Sequence, residues 1–113
     1  MTPVEIMGEI EECRQQLQLG ITNLKTLAVK KAEAEKDYKI ALRKQLLFLR
    51  SQGHGINLCL ELGKGEDKVA MFKLEADIAE SNYFVALEHI KTIRQELEVL
   101  KSMLGMEKLL SRD

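Results

Sequence analysis

Tryptophan is absent from the sequence, proline occurs once, cysteine twice, and the aromatic residues come to three phenylalanines and two tyrosines. So few rings cannot build a base-stacking platform for single-stranded nucleic acid. Two cysteines are too few for a disulfide scaffold, and with one proline, at position 3, almost nothing interrupts a helix. Charge of either sign is also lacking in the balance: 17 basic against 18 acidic residues leave a net charge of -1. No global field therefore draws in nucleic acid or an anionic membrane. No apolar run approaches the roughly 18 residues of a membrane span. The acidic start MTPVEIMGEIEE lacks the basic region and apolar core of a signal peptide, so a cytoplasmic location is expected.

What is present is helical material. Hydrophobic residues make up 45% and charged residues 31% of 113 positions, the range of a single globular domain. Ala, Leu, Glu, Lys and Gln lose little rotamer freedom in a helix, so the class expected is all-α. Cys13 and Cys59 sit within apolar helical patterns and read as buried hydrophobes. With His54 and His89 they give no ligand spacing, so neither metal nor cofactor is expected.

The first helix is expected over about 3–50. Thr2 caps it, Pro3 suits the first helical position, and Glu5 completes a capping box. Its stripe runs through Ile6, Ile10, Cys13, Leu17, Gly20, Leu24, Leu27, Ala34, Tyr38, Ala41 and Phe48, with Lys31 and Gln45 as breaks. Gly20 costs about 1 kcal/mol against Ala, and Thr22 or Asn23 could cap a restart. The stripe keeps phase across it, which favours a continuous helix. Residues 51–65 hold Gly53, Gly55, Gly63 and Gly65 and read as the turn region. Ile56, Leu58, Cys59, Leu60 and Leu62 are too apolar for a solvated loop, so a short helix is expected there as a lid on the core.

The second helix is expected over about 66–108, opened by Glu66 and Asp67 at its positive end. Val69, Phe72, Ala76, Ala79, Tyr83, Ala86, Ile90, Ile93, Leu97, Leu100 and Leu104 recur at three and four without a break, which is a packing seam. Two stripes of matched length on either side of a short connection predict an antiparallel helical hairpin. With the turn centred between Leu58 and Cys59, Phe48 opposes Val69, Ala41 opposes Ala76, Tyr38 opposes Ala79, Ala34 opposes Tyr83 and Leu24 opposes Ile93. Charge fits this register. Seven basic and three acidic residues lie in 30–50, opposite Glu66, Asp67, Glu75, Asp77 and Glu80. Glu5, Glu9, Glu11 and Glu12 face Lys101, Lys108 and Arg112.

One seam does not use all the apolar residues. Met71, Ile78, Val85, Val99 and Met106 recur at multiples of seven on another face of the second helix. Leu19, Ile40 and Leu47 do so on the first, with Ile21, Leu42 and Leu49 flanking its stripe. A two-helix unit cannot cover these, so a homo-oligomer is expected, most simply a dimer forming a four-helix bundle.

The segments EKDYKIALRK, LRSQGH, KGEDKVA and IAESNYFVAL together resemble small, uncharacterised helical-hairpin proteins of phages and prophages of Gram-positive bacteria. The resemblance covers about two thirds of the chain, from Ala32 to Leu104. It implies an early-region protein near replication and recombination functions, and carries over no catalytic residue. Two working functions follow. The first is a non-enzymatic adaptor or inhibitor that presents a helix face or the turn region to a phage or host protein. The second is an accessory nucleic-acid binder using Lys30, Lys31, Lys36, Lys39, Arg43, Lys44 and Arg50. An enzyme is not expected. The GKGED stretch at Gly63 lacks the preceding strand, the glycine spacing and the Ser or Thr of a phosphate loop, and no nucleophile and base pair stands out.

Overall fold

A computed structural model describes residues 1–111, and Arg112 lies outside them. The described residues form three helices and no strand: α1 (Pro3–Ser51), α2 (Ile56–Gly65) and α3 (Asp67–Leu110). Thr2 opens α1, its Oγ1 accepting from the Glu5 amide at 3.2 Å. The helix passes through Gly20 without a break. Contacts divide the chain into two compact units, and α1 and α3 contribute to both.

The first unit joins Met1–Lys25 to Phe84–Asp113. Ile6, Ile10 and Cys13 of α1 form its core with Ile93, Leu97 and Leu100 of α3, and Leu17 and Leu104 pack against them. Gly20 is where the helices come close. A Cβ there would stand 3.3 Å from Cγ1 of the buried Ile90. The glycine that looked like a weak point in α1 is therefore a site of close packing.

The second unit is Thr26–Tyr83. Here α1 ends in a Schellman motif: the His54 amide donates to Leu49 O, the Gly53 amide donates to Arg50 O, and Gly53 has φ +91°. Gly55, extended at φ -69° and ψ 157°, then opens α2. The chain thus reverses within Gln52–Gly55, and the second pair of glycines belongs to a helix. Gly63 is buried in α2, where a Cβ would meet Leu46 Cδ2 at 3.1 Å and Leu42 Cδ1 at 3.6 Å. So α2 lies along the last turns of α1 and does not cap the core as a lid.

A single extended residue, Glu66, separates α2 from α3. Its backbone amide donates to Gly63 O, and its carboxylate accepts from the Val69 amide at 2.9 Å. The same residue therefore closes one helix and caps the next.

This placement of the turn corrects the register. Ile90 stands against Gly20, not Leu27, and Val69 lines a groove with Ala41, not Phe48. Both differ from the expected pairing by one heptad. The cause is the reversal at Gly53, a few residues before the assumed centre at Leu58 and Cys59. Phe48 needs a second correction: it is 52% exposed and outside the seam, and Leu49 is buried in its place. The last turns of α1 pack on α2: Leu42, Leu46 and Leu49 share a face at spacings of four and three, and Gly63 lies against Leu42 and Leu46.

Candidate interaction surfaces

The seam of α3 is buried at Val69, Ala76, Ile90, Ile93, Leu97 and Leu100, and half-buried at Phe72, Ala79, Tyr83, Ala86 and Leu104. On α1, Tyr38 is half-buried, and so are the two supposed breaks, Lys31 and Gln45. Lys31 continues the seam by laying its aliphatic stem along it while the ammonium reaches out. Its Nζ sits 5.9 Å from the centroid of the Tyr83 ring and 3.0 Å from Glu35 Oε1. Lys73 repeats this from the other helix, 5.2 Å from the Tyr38 centroid and 3.1 Å from Asp77 Oδ1. Each tyrosine therefore lies under a lysine that is itself tied to a carboxylate four residues on. An interrupting Lys with an acid at i+4 is the signal for Lys31, whereas Lys73 lies beside the stripe of α3 and interrupts nothing.

The hydrogen bond to Lys31 holds the Glu35 carboxyl below the usual carboxylate range and is the largest cause raising Lys31. Asp77 raises Lys73 in the same way. All four ion pairs among the described residues are within one helix, at i,i+3 or i,i+4. The expected ladder between helices is not built from them. At the start of α1, acids gather instead: Glu9, Glu12 and Glu96 line a groove with Cys13. Burial first, and then these carboxylates, push the Cys13 thiol above its ordinary value.

The surplus apolar residues are exposed: Met71, Ile78, Val85, Val99 and Met106 on α3, and Leu19, Ile40 and Leu47 on α1. Leu74, one turn from both Met71 and Ile78, is 60% exposed and joins them, a member that counting by sevens misses. On α2 only Cys59 and Gly63 are buried, leaving Ile56, Leu58, Leu60 and Leu62 in the open.

Of the basic stretch, Lys30, Lys36, Lys39, Arg43, Lys44 and Arg50 are exposed. Arg50 donates from Nη1 to His54 O at the turn, and Lys31 is held as described. Among the described residues, no three His, Cys, Asp or Glu come together as a metal-holding group. Among the same residues, no helix is long and apolar enough to cross a membrane. No family model, curated protein or solved structure matches the chain.

Proposed function

We propose that the chain is a non-enzymatic, self-associating adaptor or inhibitor of phage type, which binds a phage or host protein through a helix face or through α2. The observation that carries this is α2. At about 100° per residue, Ile56, Leu58, Cys59, Leu60 and Leu62 take more than half of the circumference of α2, with Asn57, Glu61 and Lys64 on the remaining side, and Ile56, Leu58, Leu60 and Leu62 are all exposed. Exposed apolar residues on α1 and α3 support self-association on the same ground, since exposed apolar area gains free energy when covered. The resemblance of the Ala32–Leu104 stretch to phage proteins supplies the setting.

The test is affinity purification of the tagged full chain from expressing cells, beside a variant with Ile56, Leu58 and Leu60 changed to Asn. These side chains are exposed, so circular dichroism should show an unchanged helix content. The reading expects a defined co-purifying protein that the variant loses. A folded variant that keeps the same partner would remove α2 from the binding surface.

A further inference from the structure

Within the second unit, the outer faces of α1 and α3 differ in charge but match in apolar spacing. On α1, Ile40 and Leu47 are exposed and one heptad apart, about 10 Å along the axis. Residues three and four away share a helix face. By that rule Ile40 is flanked by Lys36, Arg43 and Lys44 with Asp37 as the one acid, and Leu47 by Arg43, Lys44 and Arg50, all exposed. On α3, Met71 and Ile78 are also exposed and one heptad apart, with Leu74 between them. Asp67 and Glu75 flank Met71, Glu75 flanks Ile78, and Lys68 is the one base beside them. Among the described residues, Lys36, Arg43, Lys44, Asp67 and Glu75 take part in no ion pair.

We infer that this α1 face of one copy docks on this α3 face of a second copy, Ile40 and Leu47 packing on Met71 and Ile78, with Arg43 and Lys44 opposite Glu75. The inference rests on the self-association proposed above and names its surfaces. Equal heptad spacing lets both apolar pairs meet at once. Arg43 and Lys44 lie midway between one pair, and Leu74 and Glu75 midway between the other, so these charges meet whether the helices run parallel or antiparallel. A pairing of two α1 faces would set Arg43 and Lys44 against their own copies, where like charges are unfavourable. Two different surfaces can meet reciprocally, α1 on α3 and α3 on α1 about a two-fold axis, which closes a dimer, or one way, which leaves one face of each kind unfilled and lets association continue past two.

Two variants of the full chain test this by mixing. Ile40→Glu with Arg43→Glu disables the α1 face, and Glu75→Lys with Ile78→Lys disables the α3 face. All four positions are exposed, and circular dichroism checks that both variants remain folded. In sedimentation velocity, the wild type should associate with rising concentration and each variant alone should be monomeric. An equimolar mixture should reach twice the monomer mass and stop, since one intact face of each kind remains.

A variant that associates as the wild type does, or a mixture that stays monomeric, overturns the inference while leaving self-association standing. A wild type that is monomeric throughout overturns the self-association as well. A low-salt mobility shift of DNA or RNA that the α1 variant loses, with association unchanged, would reassign the basic face to nucleic acid.

Discussion

At the residue scale, glycine carries opposite meanings at different positions in this chain. A Cβ at Gly8 meets nothing within 4 Å, whereas one at Gly20 presses on Ile90 at 3.3 Å. Gly8→Ala should therefore stabilise the protein by about 0.5–1 kcal/mol through helix propensity. Gly20→Leu should destabilise it by roughly 1–3 kcal/mol through overpacking. Urea denaturation of both variants checks the contrast. Cys13 gives a prediction in pH. Its folded pKa is raised, so its contribution to stability is complete below the ordinary thiol value and is lost as pH rises through the folded one. At pH about 9, iodoacetamide should modify Cys13 more slowly in the folded protein than in urea. Equal rates would show that neither burial nor Glu96, Glu12 and Glu9 protect it. The Lys31–Glu35 pair titrates at the other end: Glu35 is depressed, so its contribution is present above the ordinary carboxylate range and fades as pH falls through the folded value.

At the scale of elements, the two breaks in the helical chain have different causes. Gly53 ends α1 because only it accepts φ +91°, while Gly55 is extended. Gly53→Ala should cost about 1–2 kcal/mol, and Gly55→Ala much less, by thermal or urea unfolding. Glu66 makes the second break by capping α3. Glu66→Ala should cost about 0.5–2 kcal/mol, measured in the same way, and Glu66→Asp should recover part of it. These turns explain what the sequence disclosed and what it hid. Membership of the seam was legible from Val69 to Leu104, because burial follows helical phase. The pairing was not, because a slip of one heptad puts equivalent seam positions opposite each other and leaves the apolar pattern unchanged. The four glycines of 51–65 looked like one turn. Only the positive φ at Gly53 and the packing of Gly63 on Leu46 separate the reversal from the helix that follows.

At the scale of the whole molecule, the apolar surplus carries the functional reading. Counting by sevens found Met71, Ile78, Val85, Val99 and Met106, all exposed. It missed Leu74 and the charges around Ile40, which belong to the same faces through three- and four-residue neighbours. Cross-helix ion pairing failed as a guide to register because Lys31 and Lys73 are satisfied within their own helices by Glu35 and Asp77. Surface charges outside the four ion pairs, Arg43, Lys44 and Glu75 among them, can select a partner, and exposed pairs contribute to orientation more than to energy. The measurement that bears most directly on this account is sedimentation equilibrium of the full chain across the micromolar range. Self-association predicts a weight-average mass above the 12.9 kDa of one chain that rises with concentration. A constant mass of one chain across that range would contradict it.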